Sequence, residues 1–137
     1  MPRQIITSPK VLTPRRAFSQ GVRVGHTLYV AGQLPIDLDG NVVGAGDVAV
    51  QTRQVLDNVR AIVEAAGGTL RDVIKTTVYL TDIADHGAMN EVYARFFVSD
   101  FPARTTVQVA GLAPALVGDG HPFLVEIDAV AILDGGA

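Results

Sequence analysis

Phe101-Pro102-Ala103-Arg104-Thr105-Thr106-Val107-Gln108-Val109 reads as a turn that launches a β-strand. Pro102 has no N–H and cannot continue a helix. Residues 104 to 109 then alternate, and strand side chains point to opposite faces with period two. Thr105, Val107 and Val109 share one face, and Arg104, Thr106 and Gln108 share the other. Arg104 thus stands at a strand start on a polar stripe. A second strand, Phe123 to Ile132, is apolar except for Glu126 and Asp128 on one face. An arginine and a carboxylate on inner strands of a small domain admit two readings. One is a partly buried ion pair. The other is a site in which Arg104 grips an anion and Glu126 moves a proton.

Upstream of the turn, Met89, Val92, Tyr93, Phe96 and Phe97 recur at helical spacing behind an Asp82 cap, and Asn90 lies at the edge of that stripe. The stripe reads as core. Asp72 to Leu80 alternates as a strand, with Thr76, Val78 and Leu80 opposed to Lys75, Thr77 and Tyr79. Asp47 caps a helix running to Ala66, with Val55, Leu56, Val59, Ile62 and Val63 on its buried face and Gly67-Gly68 as its stop. Arg53, Asp57, Arg60 and Glu64 make a charged, solvated face. Further back, Ala17 to Val24 and Thr27 to Ala31 predict a hairpin turned by Gly25-His26, broken by Gly32-Gln33. Gly32 either lets a ligand approach the backbone or marks a bulge. Residues 1–16 read as an irregular, solvated arm, and residues 134–137 as a tail.

The pieces predict one α+β domain, residues 1–137, with two helices on one face of a mixed sheet. Two helices cover one face only, so self-association is expected to cover the other. The length of 137 residues and 48% apolar content suit a single core. Net charge is −3, with no basic stripe, which weighs against nucleic acid. The absence of cysteine excludes disulfides and thiolate chemistry. Asp37-Leu38-Asp39-Gly40-Asn41 lacks the acidic pattern of a calcium loop and reads as a turn. His26, His86 and His121 fall in separate segments and suggest no shared metal. His121, in the Gly111–Pro122 loop just before the last strand, is a further catalytic candidate, with solvation the plainer reading. With no signal-peptide pattern and no membrane-length apolar run, the cytoplasm is the expected compartment.

Seven collinear segments resemble one family. They are Phe18-Ser19-Gln20-Gly21, Ala31-Gly32-Gln33-Leu34-Pro35, Gln51 to Val59, Val73 to Leu80, Asn90-Glu91-Val92-Tyr93, Phe101-Pro102-Ala103-Arg104 and Val125 to Ala129. The chain resembles the Rid, or YjgF-type, family of reactive intermediate deaminases, also labelled endoribonuclease L-PSP. The resemblance spans about Ala17 to Ile132. It implies a chorismate-mutase-like fold and a homotrimer with clefts between subunits. It also implies hydrolysis of 2-imino acids to 2-keto acids and ammonia, without cofactor or metal. The family's essential arginine falls on Arg104, its acidic residue on Glu126, its helix asparagine on Asn90 and its ligand-binding glycine on Gly32. Phe18, Ala31 and Thr106 replace the tyrosine, serine and cysteine usual in the deaminase branch. Two hydroxyls are thereby lost, and a more apolar pocket that favours imines with larger apolar side chains is expected. A second class of function is a non-catalytic binder of keto acids or similar metabolites. A ribonuclease is the third, disfavoured by the acidic balance and the lack of a histidine pair.

Overall fold

The described residues pair six strands in the order β1-β2-β3-β6-β4-β5 and lay two helices across one face. The structure is a computed structural model that describes residues 2–113 and 123–133. The strands are β1 (Arg3–Ile6), β2 (Gly21–Val24), β3 (Thr27–Gln33), β4 (Val73–Leu80), β5 (Ala103–Gln108) and β6 (Val125–Ile132). The helices are α1 (Val48–Ala65) and α2 (His86–Phe96). All pairings are antiparallel except β4 with β5, which the intervening α2 makes parallel.

The expected α+β architecture holds, and α1 forms for the reasons its sequence provides. Asp47 Oδ1 accepts from the backbone N–H groups of Ala49 and Val50. Val55, Leu56, Val59, Ile62 and Val63 are fully buried against the sheet. Gly67, at φ 92°, adopts the left-handed backbone that ends the helix. The charged face pairs Arg60 with Asp57, a solvated contact worth little to stability.

Alternation on β4 and β6 separates the two sheet faces. Thr76, Val78 and Leu80 of β4, with Val125, Ile127, Ala129 and Ala131 of β6, are buried under the helices. Thr77 and Tyr79, with Glu126, Asp128 and Val130, point to the opposite, uncovered face. That face also exposes Tyr29, Val107 and Ile132, at 56%, 37% and 42% of their surface.

Several boundaries differ from those expected. The N-terminal arm is neither irregular throughout nor simply solvated. Arg3–Ile6 pairs with β2 and forms one sheet edge. Buried Gln20 then holds the arm down, its Oε1 accepting from Ser8 N (2.6 Å) and its Nε2 donating to Val11 O (3.2 Å). Strand β2 begins at Gly21 rather than Ala17. Gly32-Gln33 does not break β3. The strand continues to Gln33 across a register shift between Val30 and Gln33, so the bulge reading of Gly32 is correct. Asp82 caps a single 3-10 turn, Ile83–Asp85, and α2 starts only at His86. The Arg104 strand is not an inner one: β5 lies at the sheet edge. The last strand starts at Val125 rather than Phe123. The Pro114–Pro122 stretch with His121, and the tail 134–137, lie outside the described residues.

Candidate functional site

Glu126 enters the middle of the sheet on β6, directly opposite Tyr79 of β4. On its other side lies the β3 bulge. A Cβ added at Gly32 would come within 2.2 Å of Glu126 Oε2 and 2.8 Å of its Cδ. Glycine at position 32 is therefore the space in which the carboxylate rests. Ala31 and Phe18 line the same cleft, which has a volume of about 360 Å³. Arm residues Val11, Leu12 and Pro14 close one side of it, and Leu34 and Ile36 another. Asn58 of α1 also lines it and braces that second wall, donating through Nδ2 to Leu34 O and Ile36 O (3.2 and 3.1 Å).

Partial burial in this apolar cleft, and then the neighbouring Asp128 carboxylate, push the Glu126 pKa above its ordinary value. Asp128 sits two residues along on the same face and accepts a hydrogen bond from Tyr79 Oη at 2.9 Å. Burial and that bond to Asp128 raise the Tyr79 pKa, so the phenol stays a donor at neutral pH. If Glu126 acts as a base, activity falls as pH drops through a midpoint above the normal glutamate range. Asp128→Asn removes the like charge but not the burial. The acid limb of the kcat/KM profile is then expected to move to lower pH without reaching the free-glutamate value. An unmoved limb would exclude Asp128 as a tuner of this group.

Arg104 lies elsewhere. It pairs with Thr76 on β4, and Thr76 is buried under α2 with its hydroxyl 2.7 Å from Tyr93 Oη. Arg104 therefore faces the helix side, whereas Glu126 faces the uncovered side, with β4 between their strands. Arg104 Nη1 donates to Asn90 Oδ1 at 2.8 Å, and its guanidinium stacks on the Tyr93 ring at 4.6 Å. Asn90 and Tyr93, one turn apart on α2, hold the guanidinium in place. Among the described residues Arg104 has no carboxylate partner, so the ion-pair reading of this arginine finds none there.

The candidate residues thus form two groups. Phe18, Ala31, Gly32 and Glu126 share the cleft, while Arg104 and Asn90 are joined at the far edge. Thr106 is on the helix-facing side of β5 with Arg104, paired with Val78, and does not line the cleft. The sequence assigns no site role to Tyr93 or Tyr79, and places Asp128 on the face of Glu126 without a role of its own. The Asn90-x-x-Tyr93 spacing, which puts both on one side of a helix, was the available signal for Tyr93. Tyr79 meets Asp128 only through a contact 49 residues apart in sequence.

Two helices on one face of a mixed sheet, with a carboxylate-floored cleft at the β3 bulge, define a small α+β domain of a recognisable class. The chain matches the family described as Endoribonuclease L-PSP over residues 8–133 and belongs to it, the Rid or YjgF family. A RutC family protein of Pyrococcus horikoshii is 43% identical over 129 residues, covering 94% of this chain and 97% of that protein. Among solved structures, the YyfA protein of the Rid family from Yersinia pestis superposes with a TM-score of 0.87 at 34% identity, covering 96% of this chain and 100% of that one. E. coli TdcF, solved with bound serine, gives a TM-score of 0.84 at 36% identity, covering 94% and 98%. Among the described residues no helix is long and apolar enough to cross a membrane, and no group of three or more His, Cys, Asp or Glu side chains is placed to hold a metal.

Proposed function

We propose that the protein hydrolyses 2-imino acids, or the enamines they tautomerise with, to 2-keto acids and ammonia. The observation that carries this reading is the partly buried Glu126 carboxylate resting on side-chain-free Gly32 at the floor of a cleft. A proton-accepting group of raised pKa beside open space is what imine hydration requires. Glu126 takes a proton from water as the oxygen attacks the C=N carbon. It passes that proton to the imine nitrogen, which completes a carbinolamine, and then carries the hydroxyl proton to the amine nitrogen as the C=O bond forms and the C–N bond breaks, so that ammonia leaves. The substrate carboxylate needs a permanently charged, planar partner, and Arg104 is a guanidinium already aimed by Asn90 and Tyr93.

Arg104 and Glu126 lie on opposite faces of one protomer's sheet, so the site is completed between copies of the chain. A homotrimer whose uncovered faces meet brings Arg104 of one copy to the Gly32–Glu126 cleft of another. The apolar residues left open on that face support this arrangement. E. coli TdcF was solved with bound serine, and an amino-acid-sized ligand is in keeping with this reading. Neither cofactor nor metal takes part in this scheme, and the proposed compartment is the cytoplasm.

Light scattering at micromolar concentration is expected to return a trimer mass. A monomer would remove the shared site. Imines generated freshly from an amino acid oxidase reaction, with ammonia release followed against the uncatalysed rate, test the chemistry. Loss of the family's tyrosine and serine hydroxyls at Phe18 and Ala31 favours a second reading, a keto-acid-binding protein without turnover. That reading is recognised by tight 2-ketobutyrate binding with no acceleration of imine decay.

A further inference from the structure

The cleft wall opposite Gly32 is supplied by the N-terminal arm. Val11, Leu12 and Pro14 line the cleft that holds Glu126, and Phe18, Leu34 and Ile36 add to its apolar lining. These arm residues stay there because the buried Gln20 amide holds the backbone at Ser8 and Val11. Arg16 brings a positive charge to the same cleft, with no salt-bridge partner among the described residues. A volume of about 360 Å³ falls in the range of roughly 300–1,000 Å³ that drug-sized ligands occupy, well beyond a three-carbon acid.

We propose that residues 11–16 form a specificity wall that makes the preferred ligand a 2-keto or 2-imino acid with a bulky apolar side chain, branched or aromatic. This rests on the Glu126 cleft being the substrate site. The acid function lies toward the charged groups, and the side chain packs against Leu12, Pro14 and Phe18. The class of reaction that supplies such a substrate is the two-electron oxidation of the Cα–N bond of a branched or aromatic amino acid, because dehydration needs a β-hydroxyl that these side chains lack.

Calorimetry with pyruvate, 4-methyl-2-oxopentanoate and phenylpyruvate tests the proposal without requiring turnover. Affinity is expected to rise along the series by about fourfold for each methylene buried. Leu12→Ala should weaken the two larger acids selectively, and Leu12→Trp, which fills the cleft, should reverse the order in favour of pyruvate. Leu12 is only half-buried, so both variants should fold, which a thermal melt verifies. Equal affinity for pyruvate and phenylpyruvate in the parent would overturn the wall, as would variants that shift all three acids alike. Imine turnover with a flat ranking removes the wall and keeps the hydrolase. Graded binding without turnover keeps the wall and removes the hydrolase, and no binding by any of the three removes the wall whatever the turnover.

Discussion

Arg104→Ala is expected to abolish 2-ketobutyrate binding and imine hydrolysis together, while the protein stays folded and keeps its oligomeric mass. The guanidinium bonds only to Asn90 and stacks on Tyr93 among the described residues, at a sheet edge. Its removal leaves no buried charge behind, so the stability cost is small. The functional cost is not, because a charge-assisted hydrogen-bonded pair contributes about 1.5–3 kcal/mol, or on the order of ten- to a hundredfold in affinity. Arg104→Lys keeps the charge but loses the planar fork that meets both carboxylate oxygens, and its affinity should fall between parent and alanine. Asn90→Ala should raise KM more than it lowers kcat, because Asn90 only aims the arginine. Parent-like binding by Arg104→Ala in calorimetry would make the arginine a structural group, and a lowered melting temperature would then be its signature.

Gly32→Ala and Glu126→Gln are expected to remove turnover in distinguishable ways. The Gly32 backbone lies outside the left-handed region, so alanine is conformationally acceptable there. Its Cβ, however, occupies the place of the Glu126 carboxylate, 2.2 Å from Oε2. The carboxylate must swing away, and a displacement of about 1 Å in a reacting group costs on the order of a hundredfold in rate. Glu126→Gln keeps the shape and removes the base, so kcat should collapse while keto-acid affinity stays close to that of the parent. Stability should not follow activity. Because the folded Glu126 pKa is raised, the native state holds its proton more tightly than the unfolded chain, and this group's contribution to stability declines as pH rises from the free-glutamate value through the folded one. At neutral pH the glutamine variant should therefore melt at or above the parent temperature. Unchanged kcat in Gly32→Ala would mean that the Glu126 carboxylate does not work from this position.

Local patterning carried much of the architecture. Helix α1 is legible through its Asp47 cap, the apolar stripe of Val55, Leu56, Val59, Ile62 and Val63 at helical spacing and its glycine stop, all of which act within a few residues. The alternation on β4 and β5 correctly separated Thr76 from Thr77 and Arg104 from Thr105. The N-terminal strand went unread because four residues, Arg3–Ile6, carry too little period-two signal and owe their conformation to pairing with β2. Gln20 is a polar letter in a short apolar run, and only its contacts with Ser8 and Val11 show that it is a buried strap.

The amino-acid sequence by itself determined the two helices, the strands from β2 onward, the Asp47 cap of α1, the family and the identity of the polar residues on otherwise apolar strands. Those depend on interactions within a turn of helix or along one strand, and on a collinear pattern of motifs. Tertiary structure alone decided strand order, and with it that Arg104 stands at an edge on the helix side while Glu126 stands centrally on the uncovered side. It alone showed the Glu126 carboxylate resting on Gly32 and the arm walling the cleft above it. Side-chain alternation tells which residues share a face within one strand, but the relative facing of two strands is set by their register, and register is a contact between segments far apart in the chain.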